Sequence, residues 1–254
     1  MTENVILDVT SLSKAFDGVQ AVRDVSFSVS SGEMVAMIGP NGAGKTTCFN
    51  LINGQLAPDD GVVRLRGARI DGLPPRRIAH RGVSRTFQVA ATFASMTVRD
   101  NIELALAAHA DRDGLLFDRA RAVSRDHVDR LLARTDIAPL ANAHCATLPY
   151  GDLKRVELAL ALANAPALLL MDEPTAGMAH EKRGALMRLA VDLAHREGLA
   201  VLFTEHDMDV VFAFANRVIV LDRGAIIAEG IPADVRRNPR VQAVYLGADE
   251  SDAQ

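Results

Sequence analysis

Residues 39–47 read Gly39-Pro40-Asn41-Gly42-Ala43-Gly44-Lys45-Thr46-Thr47, with a lysine and a hydroxyl at fixed offsets from the glycines. The spacing G-x-x-x-x-G-K-[ST] lets bare backbone wrap closely around phosphates. Its N–H groups and the N-terminus of the next helix then face the negative charge. Lys45 is placed to reach the β- and γ-phosphates and Thr46 to ligate Mg²⁺. A nucleotide phosphate site built from Gly39, Asn41, Gly42, Ala43, Gly44, Lys45, Thr46 and Thr47 follows from this spacing. A second chemical point is Asp172-Glu173-Pro174, a carboxylate pair that directly follows the apolar run Ala167 to Met171. Asp172 suits the shell of a metal ion, and Glu173 can accept a proton from an attacking water.

Both points need the carboxyl end of a strand, which in a parallel sheet opens onto the ligand crevice. Short apolar runs supply such strands at Met34 to Ile38, Ala167 to Met171, Ala200 to Thr204 and Val218 to Leu221. Strands apolar on both faces and alternating with helical patterns predict an α/β core with a largely parallel sheet. A helix is expected at Thr47 to Asn53, behind the phosphate loop. Ile6 to Val9, Ser26 to Val29 and Val62 to Leu65 predict an added antiparallel β portion, and Arg223-Gly224 the turn of a late hairpin. Between Met96 and Leu148 the pattern turns helical: Thr97-x-x-Asp100 resembles a capping box, and Val128, Leu131 and Leu132 form an i, i+3, i+4 stripe. Pro74-Pro75, Pro139, Pro232 and Pro239 are read as loop punctuation.

The chain has 254 residues, with 28 Lys plus Arg against 32 Asp plus Glu, a formal charge of −4, and 49% hydrophobic residues. Such a composition folds and is not that of a disordered chain. It also argues against a sequence-independent nucleic-acid binder, whose affinity rests on a basic surface. Cys48 and Cys145 stand far apart without metal spacing, which excludes a disulfide scaffold or a zinc site and suits a reducing compartment. Met1 to Asp8 carries no secretory pattern, and the apolar run Leu158 to Met171 is interrupted by Asn164 and Pro166 and too short to span a bilayer. A cytoplasmic location is expected.

Three further segments narrow the family. Arg85-Thr86-Phe87-Gln88 resembles the Q-loop of ABC-type ATPases, Leu148 to Arg155 their signature segment, and Thr204-Glu205-His206-Asp207 their switch-histidine segment. The resemblance runs from about Leu7 to Gly247. It is closest to the ATP-binding subunits of branched-chain, or hydrophobic, amino acid importers, through these segments together with Glu173 to Met178, Met208 and the terminal Ala243-Val244-Tyr245-Leu246-Gly247. The implied fold is a P-loop NTPase core of ABC type with an antiparallel β subdomain and a helical subdomain. One nucleotide-binding domain over 5–247 is implied, with the core at about 5–88 and 156–230, the helical subdomain at about 89–155 and a tail at 231–254.

The resemblance also implies roles. Two chains pair head to tail, each ATP lying between one chain's phosphate loop and the other's signature segment, Pro149, Tyr150, Gly151 and Asp152. Phe16 matches the aromatic that stacks on adenine. Gln88 joins Thr46 and Asp172 around Mg²⁺, and Lys45, Glu173 and His206 are the catalytic groups. His80, His109, His127, His144, His180 and His195 have no such context. Departures from the family pattern are Pro149, where a hydroxyl is usual, Asp152, where Gln is usual, and Ala179, where many members place an Asp. Asp152 is expected at the cap of a helix over Leu153 to Asn164.

The expected partners are an identical or paralogous ATPase subunit, multi-spanning permease subunits and, indirectly, a periplasmic or extracytoplasmic solute-binding protein, with no nucleic acid. The chain would sit at the inner face of the membrane through the permease. Phe93, Met96 and Val98 are apolar candidates for the permease contact. A soluble ABC-type ATPase of DNA repair or translation usually carries coiled-coil insertions or two nucleotide domains, which this sequence lacks. That soluble ATPase is the runner-up, a transport ATPase for another substrate such as urea or lipopolysaccharide is a further alternative, and a P-loop kinase or GTPase would lack the Gln88, signature and His206 series.

Overall fold

The computed structural model describes residues 4–86, 92–110 and 125–249. Its central sheet has six strands in the order β10-β9-β3-β8-β7-β6. These are β3 (Met34–Ile38), β6 (Val83–Thr86), β7 (Leu168–Asp172), β8 (Ala200–Thr204), β9 (Arg217–Asp222) and β10 (Ala225–Gly230). All pairings are parallel except that of the edge strand β10 with β9. Arg223 and Gly224 make the turn of that hairpin, both at positive φ. A four-stranded antiparallel sheet, β2-β1-β4-β5, flanks this core. It comprises β1 (Val5–Phe16), β2 (Val19–Ser30), β4 (Asp60–Leu65) and β5 (Ala68–Arg69).

The fully buried strands β3, β7 and β8 explain their unbroken apolar sequence, since both faces of the sheet are covered. Side chains alternate across the sheet with period two. Met34, Ala36, Ile38, Leu169, Met171, Val201 and Phe203 face one core. Val35, Met37, Leu168, Leu170, Ala200 and Leu202 face the other. The first core takes helices α3 (Val98–Ala110), α4 (Arg125–Arg134), α5 (Tyr150–Leu162) and α6 (His180–Glu197). The second takes α1 (Lys45–Ile52), Ile78 of α2 (Pro75–His80) and the antiparallel sheet.

Local chemistry sets the helix ends. Thr97 and Asp100 close a reciprocal capping box at the start of α3, with Asp100 N–H donating to Thr97 Oγ1 and Thr97 N–H to Asp100 Oδ2, each at 3.1 Å. Asp207 caps α7 (Met208–Phe214) by accepting from the N–H groups of Asp209 and Val210. The prolines read as loop breakers turn out to start helices. Pro75 opens α2, and Pro232 and Pro239 open α8 (Pro232–Arg237) and α9 (Pro239–Asp249). The first helical position needs no N–H and favours the fixed φ of proline. Among the described residues no helix is long and apolar enough to cross a membrane.

Leu202 sits fully buried at the middle of β8. Leu202→Ala should lower the unfolding free energy by about 2–5 kcal/mol in chemical denaturation, the range for a large-to-small change in a packed core. Cys48 is buried in α1, and burial pushes its thiol up to about 12; the buried Cys145 thiol is also raised by burial. The thiolate, the form that reacts, is therefore scarce at both positions. A disulfide reagent should leave both cysteines unlabelled for minutes in the native protein and modify both in guanidinium; prompt native labelling of Cys48 would contradict the packing.

Candidate functional site

The strand order places three loops side by side at one sheet edge. The loop after β3 carries Gly39 to Gly44, β8 ends in Thr204 and leads to His206, and β7 ends in Asp172 with Glu173 after it. The parallel register sets Asp172 directly opposite Thr204. Strand β6, beside β7, brings Arg85 and Thr86 to the same edge, while Phe87 and Gln88 lie outside the described residues.

In the phosphate loop Gly39, Gly42 and Gly44 all have positive φ. Gly39 cannot be replaced without a shift, because a Cβ there would lie 2.2 Å from the Leu221 carbonyl oxygen. Helix α1 has no side-chain cap at Gly44 and no acidic residue in its first turn, which leaves its N-terminal dipole for an anion. The Lys45 ammonium donates to the carbonyls of Gly39 at 2.6 Å and Pro40 at 3.0 Å. Burial holds Lys45 below the usual lysine range, against the opposing pull of the Glu173 and Asp172 charges. Asn41, Gly42 and Thr46 are exposed, Ala43 is buried, and Thr47 is half-buried.

Asp172 is buried, and its two oxygens have different partners. Oδ1 accepts from the Thr204 hydroxyl at 2.8 Å, and Oδ2 from Arg85 Nη2 at 2.6 Å. Glu173 adopts φ 48°, a left-handed conformation that costs a non-glycine residue about 1–3 kcal/mol. Its N–H is held by both the carbonyl and the hydroxyl oxygen of Thr204, each at 3.1 Å. This turns the Glu173 side chain toward His206, whose Nε2 lies 2.9 Å from Glu173 Oε1. The neighbouring Glu205 is buried and accepts from the Thr175 N–H at 2.8 Å and its hydroxyl at 2.6 Å, tying the loop after β7 to the loop after β8.

The donor set fits the groups the sequence implies. A hard divalent cation takes one or two protein oxygens together with phosphate oxygens, and Asp172 and Thr46 offer a carboxylate and a hydroxyl. The glycine cradle and the uncapped α1 fit the phosphates. Phe16 ends β1 before the Asp17-Gly18 turn, whose two residues have positive φ. Phe16 is 42% exposed, and Lys14 Nζ lies over its ring, 5.6 Å from the centroid.

Pro149 is the cap residue of α5, and the helix begins at Tyr150. Asp152 therefore lies in the first turn instead of at the cap expected from the sequence, and α5 has no side-chain cap bond. A carboxylate in that turn meets the helix dipole favourably. The Tyr150 ring packs near Gly177 and under Lys154 Nζ, 5.4 Å from its centroid. Among the described residues no hydrogen bond or ion pair joins Pro149–Asp152 to the phosphate loop of the same chain.

Sequence reasoning gave no role to several contacts. Arg85, Thr204, Thr175 and Glu205 lie within or beside quoted motifs, but their partners are distant in the chain. Tyr245, quoted only as part of a terminal segment, packs on the first core. Burial pushes its phenol up to about 12, only partly offset by the nearby Gly39 backbone.

Comparison with known proteins places this geometry. The family model described as ABC transporter matches residues 22–176, and that of the branched-chain amino acid ATP-binding cassette transporter matches residues 225–251. The high-affinity branched-chain amino acid transport ATP-binding protein BraF of Pseudomonas aeruginosa is 36% identical over 95% of this chain and 98% of its own length. The corresponding LivG of Escherichia coli is 37% identical over the same shares. An ATP-binding cassette of an ABC transporter solved in its ADP conformation superposes with a TM-score of 0.83 at 29% identity, covering 96% of this chain and 99% of that one. With a shared cassette fold and end-to-end relatives of this kind, the chain belongs to the ABC transporter family, as an ATP-hydrolysing subunit of its branched-chain amino acid ATP-binding branch.

Proposed function

We propose that this subunit binds MgATP at the sheet edge and that its cycle of closure and hydrolysis drives a permease importing branched-chain or related amino acids. The observation that carries the reading is the convergence of a glycine cradle, Lys45, Asp172, Glu173 and His206 at the ends of adjacent parallel strands. The relatives named for branched-chain amino acid transport support the solute class.

In this reading Phe16 stacks on adenine, the backbone of Gly39 to Thr47 receives the phosphates, and Lys45 leaves its loop carbonyls for the β- and γ-phosphate oxygens. Mg²⁺, held by Thr46, Asp172 and Gln88, supplies charge neutralisation at the phosphates. Glu173 takes a proton from the water whose oxygen bonds to the γ-phosphorus as the bond to the bridging oxygen breaks, releasing ADP and phosphate. His206, at 2.9 Å from Glu173, orients that carboxylate and the water. The signature residues Pro149 to Asp152 complete the site of a second chain, identical or paralogous, and the α5 N-terminus faces that chain's γ-phosphate.

Between the core and the helical subdomain lies a groove of about 600 Å³, lined by Ile78, Val83, Phe93, Leu104, Leu160 and Arg85 among others. We assign it to a short helix of the permease, which would hold the subunit at the inner membrane face. Phe93, exposed at its rim, serves that contact, whereas Val98 is buried in the core and does not. Solute capture belongs to a separate binding protein.

Glu173→Gln should keep ATP binding while slowing turnover by roughly 10²–10⁴-fold, and should accumulate as an ATP-bound dimer in size-exclusion chromatography. Near-wild-type turnover would remove Glu173 from the base role. Specific ATPase activity of the purified wild-type chain should rise with protein concentration; a rate independent of concentration would contradict a site shared between two chains.

A further inference from the structure

Arg85 is a multiply bonded cation at the sheet edge, and the reaction described above leaves it without a task. Its guanidinium donates through Nη2 to Asp172 Oδ2 at 2.6 Å and through Nη1 to Asn50 Oδ1 at 2.6 Å and Gln55 Oε1 at 3.1 Å. It also lies 5.7 Å from the centroid of the Phe49 ring. The side chains of Arg85 and Asp172 are 10% and 7% exposed, so this is a desolvated pair, unlike a surface salt bridge. Phe49 and Asn50 belong to α1, the helix that opens with Lys45 and Thr46. One guanidinium thus spans the helix carrying Thr46 and the strand carrying Asp172, two of the three proposed metal ligands.

The planar fork is what permits this. Arginine presents several donors in a fixed plane, so it can hold a carboxylate on one edge and two amide oxygens on another, which a lysine ammonium cannot reproduce. A buried carboxylate without a counter-charge is strongly unfavourable. Thr204 gives Asp172 a hydrogen bond but no charge.

We propose that Arg85 is a positioning residue for the hydrolytic site. It is a resident cation that orients and neutralises Asp172 while no divalent ion is bound, and that competes with that ion for the same carboxylate. The proposal rests on the reading of Asp172 as a metal ligand. It has two consequences of opposite sign. Loss of Arg85 removes the ion-pair partner of Asp172 among the described residues, leaving only the longer-range pull of Lys45, and destabilises the metal-free chain. It also removes a competing positive charge, so the divalent ion gains more on binding. A guanidinium that only packed would lower stability equally with and without the ion.

The test is thermal unfolding of the full chain with ADP in EDTA and with ADP over a Mg²⁺ titration, for wild type, Arg85→Gln, Arg85→Lys and Asp172→Asn. Arg85→Gln should melt several degrees below wild type in EDTA, recover part of that deficit as Mg²⁺ is added, and reach its Mg²⁺ midpoint at roughly tenfold lower concentration. Arg85→Lys keeps the charge but not the fork. It should retain a wild-type Mg²⁺ midpoint with a lowered melting temperature. A deficit in Arg85→Gln that is the same at all Mg²⁺ concentrations, or an Arg85→Lys midpoint equal to that of Arg85→Gln, would overturn the proposal. Wild type must gain stability from Mg²⁺ beyond ADP alone, and Asp172→Asn must lose that gain. If either control fails, the metal assignment and the proposal fall together; if both hold and Arg85→Gln titrates as wild type, only the proposal falls.

Discussion

Concentrated negative charge must be met inside a folded protein without burying unpaired cations, and that constraint organises this molecule. The solution is backbone. Gly39, Gly42 and Gly44 take positive φ, and α1 starts without a side-chain cap, so N–H groups face outward from the sheet edge. Lys45 meanwhile rests on the loop's own carbonyls, paired with dipoles until a stronger acceptor arrives. Contacts from outside the loop hold this arrangement in place. The loop is backed by the Gly224 N–H on the Ala43 carbonyl and by the close approach of Gly39 to Leu221.

The carboxylates solve the complementary problem. Asp172 is buried because both its oxygens are satisfied, and Glu205 because Thr175 donates to it twice. Glu173 stays near the surface and pairs with the more exposed His206. Adjacent acidic residues thereby acquire different environments from one strand end, and the strained backbone at Glu173 separates them.

What could be read from the sequence follows from the range of each interaction. The phosphate-binding motif is nine consecutive residues running from the end of a strand into the first turn of a helix, so its chemistry and its placement are local and legible. The parallel core was legible too, since β3, β7 and β8 are apolar throughout. The pairs Arg85–Asp172, Glu173–His206 and Thr175–Glu205 are 87, 33 and 30 residues apart and arise only from strand order, which no local pattern encodes. The prolines misled because a residue that breaks a helix interior also starts one. Asp152 was misplaced for a related reason, since α5 begins three positions earlier than expected, at Tyr150.

Strand β8 lies between β3 and β7, and those two strands share no hydrogen bonds with each other. The glycine loop and the acidic pair consequently have no common framework until residues 200–204, far downstream of the loop, have been inserted between them. Pairings of such long sequence separation form slowly. During synthesis, therefore, a nascent chain that already carries its complete glycine loop still lacks the acidic half of the pocket, which meets that loop only as the middle strand threads home.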